Sequence, residues 1–329
     1  MSPGSVADVP DMIRSAHDAK QAIYTIGGGT SLEYGVMPTR TGYAFETTGL
    51  SRVVDYTPRD MTIVVEAGVR FCDLVQTLAV EKQQLPIDAP RATEATIGGL
   101  VASDWSGPRR YGYGTLRDYV IGINAVDGHG VPFKGGGRVV KNVAGYDFCK
   151  LLTGSLGTLG IITQLTFKLK PQSEQAVTLL VACENLDVTE QVLVTLVDVP
   201  SPPASIDLLV GNGWKELVGL SESSAANLVA VRFEGSEMEV VAMRDQLQAQ
   251  LVSAGSANVS VLDHSKGESL LARQIEFSDC GIAAEGDSSP LTVKITALPS
   301  AVTQLVSRLI QYDPDCTIQA HAGTGVIIV

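Results

Sequence analysis

Apolar residues recur every three or four positions between Ser5 and Lys20, at Val6, Val9, Ile13 and Ala16, which predicts an amphipathic helix capped by Ser5. The apolar run 22–26 follows and ends in Gly27-Gly28-Gly29-Thr30-Ser31, a strand leading into a loop. Residues 53–58 and 61–69 are β-rich runs split by the turn Pro58-Arg59-Asp60. Helical spacing returns from Arg70 to Lys82, with Leu74, Val75, Leu78 and Ala79 as its expected buried face. Residues 85–118 show little periodicity and many Gly, Pro, Ser and Thr, which predicts loop. A loop of that length inside a compact domain is uncommon unless it is functional. Residues 119–126 and 131–133 flank the turn Asp127-Gly128-His129-Gly130 and predict a β-hairpin. A helix over 147–153 then leads through a glycine turn to a strand over 161–169, and Pro171 closes this half.

From Ala176 onward glycine thins out and the pattern changes. Strands are expected over 178–183, 205–211, 227–233, 258–263 and 291–298, with helices over 188–197, 236–253 and 300–311. Two more apolar runs, 317–322 and 325–329, complete the chain. Strands and helices at that spacing predict an α+β domain with an antiparallel sheet covered by helices. The expected division is 1–171 and 172–329. Because the chain stops in the apolar strand Val326-Ile327-Ile328-Val329, it is expected to be cut short of its natural C-terminus.

Composition narrows the class. With 329 residues and 45% hydrophobic content, the chain is long enough and apolar enough for about two domains with their own cores. A net charge of −12 repels phosphate backbones, and no basic patch offsets it, so general nucleic-acid binding is not expected. No apolar run approaches the roughly 20 residues that span a bilayer, and the N-terminus has no signal-peptide pattern, so a cytoplasmic protein is expected. Cys72, Cys149, Cys183, Cys280 and Cys316 are scattered, which argues against a disulfide framework, a structural zinc or an iron–sulfur centre. The four histidines, His17, His129, His264 and His321, do not pair at helical spacing, and no protein-bound metal is expected.

Glycine is the unusual component: 33 residues, clustered beside strands from Gly27 to Gly160. Consecutive glycines after a strand can turn several N–H groups around one anion; the alternative for a lone GGG is an ordinary tight turn. The Gly27–Ser31 loop has company in Thr96-Ile97-Gly98-Gly99 with Ser103, in the run from Arg109 to Gly114, and in Gly154–Gly160. One long ligand touching several loops explains all four. The GxGxxG fingerprint of a Rossmann site is missing after the first strand, and the hexad 155–160 lies after a helix and before a strand, the wrong order. The P-loop pattern is absent as well.

Six ordered blocks, 26–31, 64–74, 85–108, 113–130, 136–147 and 151–171, resemble the FAD-binding domain of the vanillyl-alcohol-oxidase type (PCMH type). Within that superfamily the runs KNVAGYD and LTGSLGTLG are similar to the FAD-binding E subunits of glycolate oxidase, or glycolate dehydrogenase. The resemblance implies an α+β fold: a two-subdomain FAD-binding domain followed by an α+β domain with an antiparallel sheet. It further implies that Gly27, Gly28, Gly29, Thr30 and Ser31 hold the FAD pyrophosphate, with Thr96, Ile97, Gly98, Gly99 and Ser103 as a second wall. Gly114 and Asp118 would lie near the flavin or ribityl chain, and Gly160, Ile161 and Ile162 at the adenine end. A turn cap is the alternative for Asp118, and core strand the alternative for the two isoleucines. Neither His nor Cys occurs in Gly29-Thr30-Ser31, so non-covalent FAD is expected; His129, at a hairpin tip, is expected to be solvated. Lys141, Asn142, Tyr146 and Asp147 could face the flavin, with a helix-start role the alternative for Asp147.

Related 2-hydroxyacid dehydrogenases carry a metal site and a histidine base in the C-terminal domain. This chain keeps only His321, in His321-Ala322-Gly323-Thr324-Gly325, as a candidate catalytic base, with a structural strand histidine as the alternative. Arg273 and Lys294 are candidate partners for a substrate carboxylate. The resemblance implies participation in oxidising glycolate, or D-lactate, to the 2-oxo acid. The implied partners are a larger FAD-binding catalytic subunit and an iron–sulfur subunit, which would hold the chain peripherally at the inner membrane. A self-sufficient FAD-dependent 2-hydroxyacid dehydrogenase and a non-catalytic structural subunit remain as alternatives, with a UDP-sugar reductase as a more distant one.

Overall fold

The computed structural model describes residues 1–34, 37–137, 145–197, 199–255, 258–278 and 291–329. It divides into two compact units, residues 1–106 with 115–172, and residues 107–114 with 173–329.

The first unit opens with a 3-10 turn that Ser5 and Asp8 cap reciprocally, then α1 (Val9–Asp18), whose Val9, Ile13 and Ala16 are buried. β1 (Ala22–Ile26) pairs in parallel with β2 (Gly42–Glu46), a strand the pattern did not predict. β3 (Val53–Thr57) and β4 (Thr62–Glu66) precede α2 (Phe71–Ala79). The buried face of α2 is Phe71, Leu74 and Leu78, positions three and four apart, whereas Val75 and Ala79 point outward, contrary to expectation. After β5 (Gln83–Gln84), the expected long loop contains α3 (Ile97–Ser103). The chain then leaves for α4 (Arg110–Tyr113) of the second unit and returns at Thr115 to a 3-10 turn over Leu116–Asp118. β6 (Val120–Val126) and β7 (Pro132–Gly136) form the expected hairpin, followed by α5 (Phe148–Leu152), β8 (Ile161–Lys168) and β9 (Lys170–Pro171). The larger sheet runs β3-β4-β8-β6-β7 and packs α2, α3 and α5 around a core that includes Ile63, Leu74, Val101, Leu152 and Phe167. A second core, Val9, Ile13, Phe45, Leu50, Val126 and Ile161, joins α1 to the parallel pair.

The second unit contains β10 (Gln175–Cys183), α6 (Leu186–Val197), β11 (Ser205–Val210), α7 (Asn212–Val218), β12 (Asn227–Gly235), α8 (Glu237–Ser253), β13 (Val259–Val261) and α9 (His264–Glu276). It closes with β14 (Lys294–Thr296), α10 (Val302–Tyr312), β15 (Ile318–His321) and β16 (Val326–Ile328). Helices α7 and α9 were not predicted; α9 is set by Asp263, whose side chain accepts from the Lys266 N–H at 2.9 Å. The seven strands order as β13-β10-β12-β11-β15-β16-β14, and every pair in that sheet is antiparallel. Helices α6, α8 and α10 cover one face, where Ile206, Leu208 and Val210 of β11 are buried. α7 and α9 cover part of the other with Trp214, Val218 and Leu270 against Leu180, Leu209 and Leu228.

Candidate functional site

The first unit brings three of the glycine loops together at the end of β1. A side chain on Gly28 would land in the Glu94 carbonyl group, 2.6 Å from its carbon, and one on Gly27 would overlap Thr96 Oγ1. Backbone therefore touches backbone between the Gly27–Ser31 loop and the Glu94–Gly99 segment, an approach only glycine permits. Gly29 has φ +74°, in the left-handed region. The N–H groups of Gly28, Gly29, Thr30 and Ser31 donate to no acceptor among the described residues. Thr96 is buried and caps α3, its Oγ1 accepting from the Gly99 N–H at 3.3 Å. Ser103 Oγ donates to the Gly99 carbonyl at 3.0 Å, so its hydroxyl proton is spent inside the helix. The Gly154–Gly160 loop is tied to the end of α3 by Gly154 N–H to Val101 O at 2.9 Å and Leu156 N–H to Ala102 O at 2.8 Å. Its Gly157 lies against Thr25 of β1.

Beside these loops lies a cleft of about 250 Å³ lined by Ile13, His17, Gln21, Ile23, Asp127 and residues 157–161. Three buried polar atoms nearby in sequence, Asp104 Oδ1, Ser106 Oγ and Ser155 Oγ, have no hydrogen-bond partner. Buried polar atoms without a protein partner are rare in folded proteins and are ordinarily satisfied by ordered water or a ligand. The unspent N–H donors of the Gly28–Ser31 loop, beside a cleft of mixed polar and apolar lining, suit a phosphate group. Thr96→Ala should cost the ligand-free chain about 1 kcal/mol through the lost cap. Thermal unfolding checks this, and an unchanged melting temperature would mean that the Thr96 hydroxyl does not stabilise α3.

The remaining expected site residues separate. Gly160 and Ile161 line the cleft, but Ile162 is buried in the core of the larger sheet on the opposite face of β8. Asp118 accepts from Thr115 N–H at 2.8 Å and from Thr115 Oγ1 at 2.9 Å, a reciprocal cap. Gly114 ends α4 with φ +86° and is counted with the second unit. Asp147 caps α5, and the Lys150 backbone N–H holds its carboxyl below the usual range; Tyr146 is exposed. Lys141 and Asn142 lie outside the described residues, as does Cys280. His129 is exposed at the hairpin tip, its ring 4.6 Å from that of His17.

In the second unit His321 is buried, and its Nδ1 lies 2.6 Å from Oδ1 of Asp207, itself wholly buried. The two are cross-strand partners of β15 and β11, so sheet register alone sets the pair. Asp207 Oδ2 has no partner. Arg273 and Lys294 are both exposed, and Arg273 is on helix α9 rather than a strand. A second buried polar group escaped sequence reading altogether. Glu234 of β12 accepts from Arg232 Nε at 2.6 Å and from the Tyr113 hydroxyl at 2.9 Å, with Arg109 at 3.6 Å. Arg232 also reaches Glu268 of α9 at 2.7 Å. Burial alone would raise the Glu234 pKa; Arg109, Arg232 and the Tyr113 hydrogen bond outweigh it, and the carboxyl sits below its ordinary value. Burial, then Glu234, pushes the Tyr113 hydroxyl up.

Residues 1–134 match the family described as an FAD binding domain. Across its whole length the chain superposes on p-cresol methylhydroxylase with a TM-score of 0.76 at 14% identity, covering 73% of that chain. Alkyldihydroxyacetonephosphate synthase gives 0.74 at 17%, covering 69% of that chain. The chain therefore has the α+β fold of these two proteins, as expected, and the matched family model points to FAD as its cofactor. Among curated relatives, the glycolate oxidase subunit GlcD of Bacillus subtilis is 28% identical over 99% of this chain and 71% of its own length. GlcE of Escherichia coli is 38% identical, but over 39% of this chain and 37% of its own. The mitochondrial cytochrome-dependent D-lactate dehydrogenase of Arabidopsis thaliana is 27% identical over 98% of this chain and 58% of its own. The chain thus spans 37% to 71% of the length of these three relatives.

Proposed function

We propose that this chain oxidises a small 2-hydroxy acid, glycolate or D-lactate, to the 2-oxo acid at its own non-covalent FAD, as the E-type subunit of a larger assembly. Oxidising a CH–OH group removes a hydride from carbon and a proton from oxygen. FAD, when bound, supplies the acceptor for the first. His321 accepts the second: its Nδ1 is engaged by Asp207, and its Nε2 makes no hydrogen bond among the described residues. This buried, carboxylate-held imidazole carries the reading, because it gives the chain a base of its own. The names of relatives, glycolate oxidase subunits and D-lactate dehydrogenases, support the substrate class. Gly27 to Ser31 and Thr96 to Gly99, with Ser103, are the proposed pyrophosphate walls; Gly114 and Asp118 are assigned to the ribityl side, and Gly160 and Ile161 to the adenine end. Ile162 supports that end from the core. Electrons then pass to a larger FAD-binding subunit and an iron–sulfur subunit, through which the chain associates with the inner membrane from the cytoplasm. No helix among the described residues is long and apolar enough to cross a membrane.

An anaerobic visible spectrum of the purified chain, taken before and after adding glycolate or D-lactate, tests the reading. The flavin band should bleach. His321→Gln should retain the band and slow bleaching by about 10²- to 10⁴-fold, the ordinary contribution of a general base. A wild-type band that neither acid bleaches would overturn oxidation at this chain's own flavin.

A further inference from the structure

The Asp207–His321 pair is a poor stabilising device. A carboxylate with no exposure, one hydrogen bond and one oxygen without a partner pays desolvation that a single imidazole repays only in part. An apolar pair in the same cross-strand position is ordinarily as stable or more so. The surroundings continue the pattern. Gln319, two residues before His321 on the same face of β15, is also wholly buried, and neither its amide oxygen nor its nitrogen has a partner. Its cross-strand neighbour is Leu209, the next residue on the Asp207 face of β11. The polar atoms without partners therefore share one neighbourhood of two adjacent strands, whereas Ile318 and Ala320 turn to the apolar core behind.

We infer that Asp207 is a positioning residue that fixes His321 in the tautomer with the proton on Nδ1, leaving the Nε2 lone pair to take the hydroxyl proton of the 2-hydroxy acid. This rests on the function proposed above and adds the group that makes His321 competent. A neutral imidazole carries one N–H, and a buried carboxylate within hydrogen-bond distance of Nδ1 decides which nitrogen bears it. In the reaction the substrate O–H bond breaks and its proton moves to Nε2. FAD, when bound, would supply the two-electron acceptor for the hydrogen on the same carbon, whose C–O bond becomes C=O. Asp207 keeps its hydrogen bond to Nδ1 and stabilises the imidazolium that forms, the division of labour of the serine-protease triad.

Labelling the histidines with ¹⁵N and recording the FAD-loaded chain by NMR tests this directly. The chain has four histidines, so the signals lost in His321→Gln assign the ring. The wild type should show a protonated Nδ1 and a bare Nε2. Asp207→Asn, whose amide can donate to Nδ1, should move the proton to Nε2 and slow anaerobic flavin reduction by about 10⁴-fold, the effect of the same change in that triad. Melting temperature and flavin content report separately on folding. A wild-type ring protonated on Nε2, or an Asp207→Asn ring whose tautomer does not change, would overturn the inference. So would a changed tautomer with an unchanged reduction rate. If neither acid reduces wild-type flavin, the proposed function falls, while the ring signals still decide whether Asp207 orients His321.

Discussion

Gly28→Ala should emerge from purification without flavin, its affinity for FAD reduced at least about 100-fold. The added methyl would lie 2.6 Å from the Glu94 carbonyl carbon and 3.2 Å from Ala95 Cα, and both obstacles are backbone. No rotamer change relieves that overlap, so the Gly27–Ser31 loop and the Glu94–Gly99 segment must move apart. Overpacking of this kind costs about 1–3 kcal/mol in stability. The loss of binding is larger, because hydrogen bonds from the Gly28–Ser31 N–H groups weaken steeply with distance and angle. Gly213→Ala is the matched control: the position is inside α7, and nothing lies within 4 Å of the new carbon. Flavin absorbance per chain after desalting, together with calorimetric titration of FAD, reads the result, while circular dichroism reports folding. A folded, yellow Gly28→Ala chain with wild-type affinity would mean that this loop does not cradle the cofactor.

The close backbone approach at those glycine loops was legible in the sequence, because Gly27-Gly28-Gly29, ambiguous alone, has three more glycine-bearing loops for company. The β6–β7 hairpin was equally legible, since alternation on both sides of Asp127-Gly128-His129-Gly130 specifies the turn and the pairing at once. What escaped depends on partners distant in the chain. β2 is recognisable only once Gly42 lies against the Ala22 carbonyl of β1 in a parallel pair. α3 carries Gly98 and Gly99, poor helix formers, and exists because Thr96 caps it and Ala67 leaves room only for glycine at 98. In α2, Val75 was assigned to the buried face by its neighbours, but Phe71, Leu74 and Leu78 complete the apolar stripe without it. The site divides in the same way. His321 stands out by composition, whereas Asp207 is 114 residues away and becomes its partner only through the β11–β15 register.

The segment 107–114 was the least legible part, and it supports a second large effect. It interrupts the expected first domain, with Ser103 and Ser106 before it and Asp118 after it, yet it belongs to the second unit. Gly112 donates to the Ala204 carbonyl at 3.0 Å, and Arg109 and Tyr113 converge on Glu234. Glu234→Ala should destabilise the second unit by about 3–5 kcal/mol near neutral pH, because it leaves the nearly buried Arg232 guanidinium without its closest carboxylate. Glu234→Gln keeps the shape and isolates the charge. The folded-state pKa of Glu234 lies below its ordinary 4.5, so between the two values the unfolded chain binds more protons than the folded one. The stability it contributes is complete above the unfolded pKa and drains away as pH falls through the folded value. Urea midpoints of wild type and Glu234→Gln should therefore differ most near neutrality and converge as pH falls to about 3. Parallel curves over that range would show that the carboxylate charge of Glu234 does not anchor the 107–114 segment to its sheet.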